Sequence, residues 1–367
     1  RKGRDVMLLI FFSLLCLLLV IIGILLMISS NAPRPFLEPN GTQVPNSISE
    51  KIYVTINGVE QGMFIKSRNA ANPVLLYVHG GMPFYFLTQD HPTSLENDFT
   101  MVWWDQRGAG LSYHARIPPD AKAVEQLISD TVEVTNYVRR RFGQEKIYLM
   151  GHSGGTFIAI QAAAQAPELY HAYIAVAQMT DQLKTEKLAY EFMLKQFAAN
   201  GDRDMVRKLE ASPVTMTGGA PDAYLSLRDG AMHSLGIGTM RDMKSVISGI
   251  FLPSLTFREY SLIDKINLWR GKIRTGVSVM WDEIMKTDLT RQVQALEIPV
   301  YFLEGRHDYT CSYTLAKDYF LKLNAPVKGF YTFEMSAHSP IFEEPEKARN
   351  ILTQDVLTGS IHLADPN

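Results

Sequence analysis

Apolar and polar positions divide the chain into three regimes. Residues 7–29 form 23 consecutive positions without a charge. As a helix rising about 1.5 Å per residue they span roughly 34 Å, enough to cross the hydrocarbon core of a bilayer. The run predicts one retained transmembrane helix. The alternative is a cleaved signal peptide, whose apolar core is only about 7 to 15 residues long and precedes a small-residue cleavage site. Residues 31–46 then carry Pro33, Pro35, Pro39 and Pro45 among Asn and Gly, which predicts an extended tether.

From Lys51 short apolar runs alternate with longer stretches of helical period. Residues 51–56 and 63–66 flank Asn57-Gly58 and predict a β-hairpin. Runs at 74–78, 101–104, 147–150, 173–177, 300–303 and 330–333 predict further strands. Residues 124–142 predict a helix ending at Gly143, and a small-residue helix follows residues 151–155 and stops before Pro167. Strands alternating with helices predict an α/β architecture with a mostly parallel sheet. Between Thr180 and Glu297 the alternation stops, and helix-like runs at 185–199 and 240–251 predict a helical cap inserted into the sheet sequence. The expected organisation is a cytoplasmic stub and transmembrane helix at 1–30, a tether at 31–50, a core at 51–180, the cap at 181–297 and the second part of the core at 298–367.

Composition narrows the function classes. With 46% apolar and 20% charged residues in 367, the chain has ample material for a buried core. Lys and Arg number 36 against 38 Asp and Glu, a net charge of −2, which disfavours a nucleic-acid binder. Of two cysteines, Cys16 lies in the apolar run, so no disulfide staples the soluble part and stability rests on the core. Arg1, Lys2 and Arg4 precede the span while only Arg34 follows closely. That bias predicts a cytoplasmic N-terminus and an extracytoplasmic domain, a single-pass protein of the cell membrane. The start at Arg1 rather than Met leads us to expect a trimmed or partial beginning.

The chemistry begins at Gly151-His152-Ser153-Gly154-Gly155, placed between a buried strand and a small-residue helix. A nucleophile elbow requires that context, and its tight turn requires glycine two residues either side of the serine. A serine hydroxyl is inert at neutral pH unless a base takes its proton and a third group orients that base. In the order serine, acid, histidine, Asp308 follows the strand at 300–303 and His338 follows the strand at 330–333. Glu304 and Asp318 are the alternative acids, one close to the strand end and the other within a helix. The oxyanion formed on attack needs fixed N–H donors. Gly154 supplies one, and His79-Gly80-Gly81-Met82 after the strand at 74–78 supplies the other, from Gly81 or Met82. No His-Glu-x-x-His is present, and Gly108-Ala109-Gly110 lacks the rest of a dinucleotide fingerprint. Neither metal nor cofactor is expected.

Together, His79-Gly80-Gly81, residues 104–112 (WDQRGAGLS), the serine elbow, Gly305-Arg306-His307-Asp308 and Ser336-Ala337-His338 resemble the proline iminopeptidase-like α/β hydrolases over residues 51–357. The resemblance implies the α/β-hydrolase fold and a serine aminopeptidase that releases N-terminal residues from short peptides. It also implies cap carboxylates that bind the substrate ammonium. Tyr190-Glu191 looks like the family's Trp-Glu pair, making Glu191 the candidate ligand and Glu186 the second. Family members read His-Gly-Gly-Pro-Gly and Gly-Gly-Ser-Trp-Gly where Met82, Pro83, His152 and Gly154 make this sequence differ, so general hydrolase chemistry is implied ahead of strict prolyl specificity. The competing expectations are an esterase or lipase-like hydrolase of lipophilic esters, favoured by the membrane helix and the apolar run at 247–255, and a non-catalytic ligand-binding module. Expected partners are a short peptide or small ester and membrane lipid, with no nucleic acid.

Overall fold

A computed structural model describes residues 2–114, 116, 124–274 and 280–366. Arg1, the first of the charges used for orientation, and residues 275–279 of the expected cap lie outside the described residues. The apolar run forms α1 (Lys2–Ile28), exposed over residues 3–21 and half-buried at Ile22, Gly23, Leu25 and Ile28. The hairpin is β1 (Ile48–Ile56) and β2 (Val59–Ser67), paired so that Ile56 faces Val59. Asn57 and Gly58 turn it with φ of 45° and 78°, the left-handed pair that a two-residue hairpin demands.

The remaining strands are β3 (Val74–Val78), β4 (Thr100–Trp104), β5 (Ile147–His152), β6 (Tyr170–Val176), β7 (Val300–Gly305) and β8 (Lys328–Phe333). The described sheet has eight strands in the order β1-β2-β4-β3-β5-β6-β7-β8, antiparallel through β1, β2 and β4 and parallel from β4 onward. Each parallel strand is buried on both faces. In β3, Val74, Leu76 and Val78 join the layer with α2 (Val124–Phe142) and α3 (Gly154–Gln165), whereas Leu75 and Tyr77 join the layer under Tyr85, Phe86 and the cap's Ile250. Alternation along one strand therefore feeds two apolar layers.

The cap holds α4 (Gln182–Ala199), α5 (Arg203–Glu210) and α6 (Asp222–Ser234), which share a cluster of their own around Met193, Leu209 and Tyr224. It continues with a π-helical turn, Ile247–Phe251, then α7 (Leu252–Thr256) and α8 (Leu262–Arg274), and the short helices Trp281–Ile284 and Leu289–Gln292 lead back to β7. The helix expected over 240–251 is a correction: 240–245 is irregular, because Arg241 gives its N–H to the Glu343 side chain, 2.6 Å away, instead of to a helical carbonyl.

The proline-rich segment read as a tether lies along the domain. Leu37 bridges Gln43, Ser49 donates to the Arg34 carbonyl at 2.6 Å, and the buried Lys66 ammonium donates to the same carbonyl at 2.8 Å. Proline composition signals an extended backbone and leaves open whether that backbone is solvated or packed.

Candidate active site

Strand β5 delivers Ser153 into a sharp turn at φ 56° and ψ −127°, a region that costs a non-glycine residue about 1–3 kcal/mol. The turn is held from both sides. The Ser153 N–H donates to the Val176 carbonyl at 3.0 Å, and its own carbonyl accepts from the Thr156 N–H at 2.8 Å and hydroxyl at 2.6 Å. The flanking glycines are needed for contact. A Cβ on Gly151 would lie 2.8 Å from Thr156 Cα, and one on Gly155 would lie 1.9 Å from the Val78 carbonyl oxygen. One on Gly80 would press to 2.8 Å from Ser153 Cβ, so the β3 loop lies directly on the elbow.

Asp308 and His338 meet at the C-terminal ends of β7 and β8. His338 Nδ1 lies 2.8 Å from Asp308 Oδ2, and both side chains are buried. Asp308 Oδ1 accepts the Thr310 and Cys311 N–H groups at 2.7 and 2.9 Å, which fixes the carboxylate plane. With that acceptor the Nδ1 carries the proton, leaving Nε2 with a free lone pair. The two loops are zipped together: the His307 N–H donates to the Ser336 carbonyl at 3.0 Å, and a Cβ on Gly305 would fall 1.7 Å from the Ala337 carbonyl oxygen. The alternative acids stand elsewhere. Asp318 is exposed on the helix Tyr313–Lys322. Glu304 is buried, accepting the Gln178 N–H through Oε1, and burial pushes its carboxyl well above the usual range.

His152, the variable elbow position, ties the Ser153 turn to the His338 loop. Its Nε2 lies 2.8 Å from the His338 carbonyl oxygen and its Nδ1 2.7 Å from the Tyr77 hydroxyl. Burial first, and the neighbouring His338 second, lower its pKa to about 3, so the ring is neutral, donating through Nε2 and accepting the tyrosine proton at Nδ1. His79 is similarly held neutral by burial, at about 4, with the Gln106 N–H donating to its Nε2 at 3.0 Å. Beneath the site Arg107 grips Asp130 through two bonds of 2.7 and 2.8 Å, and Asp105 accepts the Leu111 N–H at 2.7 Å.

A pocket of about 510 Å³ opens over these loops, its wall including Gly81, Met82, His338, Arg228 and Asp229. Gly154 opens α3 directly after Ser153. The structure does not bring the two cap glutamates to the pocket wall. Glu191 is exposed and pairs with Lys187 at 2.5 Å. Glu186 is buried, with Arg228 Nε and the Tyr224 hydroxyl 2.7 and 2.9 Å from its Oε2. Residues 186 and 191 are five apart, about 140° around a helix, so they cannot share one face. The acidic group on the pocket wall is Asp229 of α6, bonded to Arg228 Nη1 at 2.8 Å. Sequence reasoning passed over it because Arg228-Asp229 reads as an ordinary exposed helical pair. Glu343 accepts the N–H groups of Ala337 and Ser339, both at 3.0 Å, and so brackets His338.

Compared with known proteins, the chain is 30% identical over 311 residues to the probable aminopeptidase YbaC of Bacillus subtilis, covering 82% of this chain and 94% of that one. The chain belongs to the serine aminopeptidase family of α/β hydrolases. The family model, described as serine aminopeptidase S33, matches residues 70–235, from β3 through the elbow to the end of α6. The esterase EstD of Thermotoga maritima is 24% identical over 60% of this chain and 54% of its own length. Among solved structures, the proline iminopeptidase of Mycobacterium smegmatis superposes with a TM-score of 0.61 at 16% identity, covering 84% of this chain and 98% of that one. The α/β-hydrolase fold expected from the motifs is thus the fold of the chain.

Proposed function

We propose that this serine aminopeptidase family member is a membrane-anchored hydrolase that releases N-terminal residues from short peptides through an acyl-enzyme. The observation that carries the reading is that His338, already bonded to Asp308, shares a pocket wall with the Asp229 carboxylate. Ser153 Oγ attacks the carbonyl of the first residue while His338 Nε2 takes its proton, and Asp308 holds the ring and the imidazolium that forms. The N–H of Gly154 and one from Gly81 or Met82 receive the oxyanion. His338 then protonates the leaving amine, and water, activated by the same ring, hydrolyses the ester on Ser153. The substrate's ammonium lies against Asp229, the role the family resemblance gives to a cap carboxylate. α1 serves as the anchor, with the N-terminus cytoplasmic and the domain outside, on the strength of its apolar length and the cationic residues before it.

The direct test is a panel of aminoacyl-coumarins set against acyl nitrophenyl esters, with fluorophosphonate labelling as the control for the nucleophile. Cleavage of free-amine substrates and labelling abolished in Ser153→Ala are the expected results, and ester turnover with no aminoacyl cleavage overturns the peptidase reading. A second reading, an esterase of lipophilic acyl groups, is favoured by the pocket's apolar wall of Met82, Phe84, Leu225, Val246, Ile250 and Trp281 and by the likeness to an esterase.

A further inference from the structure

The end of α1 is planted in the cap. The Ser30 N–H and hydroxyl both donate to the Arg258 carbonyl, at 2.9 and 2.8 Å, and the Lys265 ammonium donates to Ser29 Oγ at 2.6 Å. These two anchor points lie just after α7 and within α8. The helices adjoin each other through Trp269, whose indole N–H donates to Ser254 Oγ at 3.0 Å and whose ring meets Phe251 edge-on at 5.3 Å.

Around those points the cap shows large apolar side chains to the outside. Ile247, Phe251 and Leu252 are exposed on the π-helical turn and α7, and Ile263, Ile266 and Ile273 on α8, where Ile273 is 77% exposed. Positions 263, 266 and 273 fall within about 80° of one helix face. The back of the same π-helical turn faces inward, with Ile250 in the pocket wall. Within residues 247–274 the exposed charge is cationic: Arg258 and Arg270 are exposed, whereas the acids Glu259 and Asp264 are buried and paired with Lys66 and Lys51.

We infer that the face formed by residues 247–252 and α8 seats in the bilayer surface beside the anchor, with the exposed arginines at lipid phosphates. The inference rests on the reading of α1 as an anchor. A span that ends at Ser29 sets the headgroup level there, and hydrogen bonds too short for a spacer hold α7 and α8 at that level. An amphipathic face so placed buries its apolar side about 5–10 Å into the interface. Lipid is favoured over a second copy of the chain because the patch is continuous with a helix whose own chemistry demands lipid. The pocket then opens beside the bilayer, suited to substrates with an apolar portion.

The full chain with Cys16→Ser, its buried Cys311 left in place, reconstituted in phosphatidylcholine–phosphatidylglycerol nanodiscs, tests this with an environment-sensitive fluorophore on one introduced exposed cysteine at a time, at Leu14 in α1, Ile266 in α8 and Leu321 on the helix Tyr313–Lys322. Nitroxide lipid is expected to quench the Leu14→Cys and Ile266→Cys labels about twofold or more and to leave Leu321→Cys unchanged. Quenching at Leu14→Cys without quenching at Ile266→Cys overturns the seated face alone. No quenching at Leu14→Cys overturns the anchor and the seated face together. An Ile266→Cys label shielded from aqueous iodide yet unaffected by nitroxide lipid assigns the face to a second copy and overturns the inference.

Discussion

The imidazole of His152, the residue before Ser153, lies against the His338 loop, its ring centre 5.4 Å from that of His338 and its Nε2 bonded to the His338 carbonyl. Two histidines this close invite the reading of a shared proton relay. Burial argues against it: with its pKa near 3, His152 stays neutral in the working range and supplies no second proton. His152→Phe keeps the bulk but orphans the His338 carbonyl and the Tyr77 hydroxyl, each a loss of about 1–3 kcal/mol. The expected outcome is a lower melting temperature and a kcat reduced about tenfold, with the acid limb of the pH–rate profile unmoved. A displaced acid limb shows instead that His152 itself carries a catalytic proton.

Glu343 makes a second such brace, and a pH-dependent one. Burial raises its carboxyl from 4.5 to about 7, although the N–H groups of Arg241, Ala337 and Ser339 oppose the shift. A carboxyl whose folded pKa exceeds its unfolded one is protonated in both states below 4.5, where its contribution is fully present. Between 4.5 and about 7 the unfolded chain ionises first, so stability falls as pH rises, by about 1.4 kcal/mol per unit at most. Glu343→Gln is expected to flatten this slope in denaturant titrations across that window. A mutant that keeps the wild-type slope assigns the dependence to another group.

Much of this site was legible in the sequence because its parts are local. A strand, a turn with glycines at fixed offsets and a small-residue helix announce Ser153, and Asp308 and His338 each follow a buried strand by a few residues. The adjacency of those two strands in the sheet sets the loops side by side, and the Asp308 and His338 side chains meet there. What failed to transfer depends on helix phase and packing. Tyr190-Glu191 has the right neighbours in sequence, yet its glutamate faces water beside Lys187, while Asp229 on another helix reaches the pocket wall. Nothing in the spacing of Glu343 from His338 announces that it accepts the N–H groups on both sides of that histidine.

The glycines separate structural from functional need. An alanine Cβ at Gly155 meets the Val78 carbonyl at 1.9 Å, and relief requires moving α3 away from β3. Gly155→Ala is expected to cost about 3 kcal/mol or more. At Gly81 an added Cβ finds nothing within 4 Å, so Gly81→Ala should stay within about 0.5 kcal/mol of wild type. Thermal unfolding of the two proteins checks the contrast, and equal melting temperatures show that the elbow has more slack than its contacts allow.

Asp229 and Glu191 make opposite predictions for the substrate's amine. Asp229→Asn keeps an oxygen to accept from Arg228, so the α6 pairing survives, but it removes the negative charge offered to an ammonium. A charge-assisted hydrogen bond contributes about 1.5–3 kcal/mol, so KM for aminoacyl-coumarins should rise about 10–100-fold. Turnover of neutral esters by the same variant should change less than about twofold, because no ammonium is involved. Glu191→Gln, altered at an exposed pair whose stabilising contribution is small, should leave both activities at wild-type values. Equal losses on both substrate classes in Asp229→Asn assign the residue a structural role. A loss confined to Glu191→Gln returns the ammonium site to α4 and requires that helix to turn toward the pocket when substrate binds.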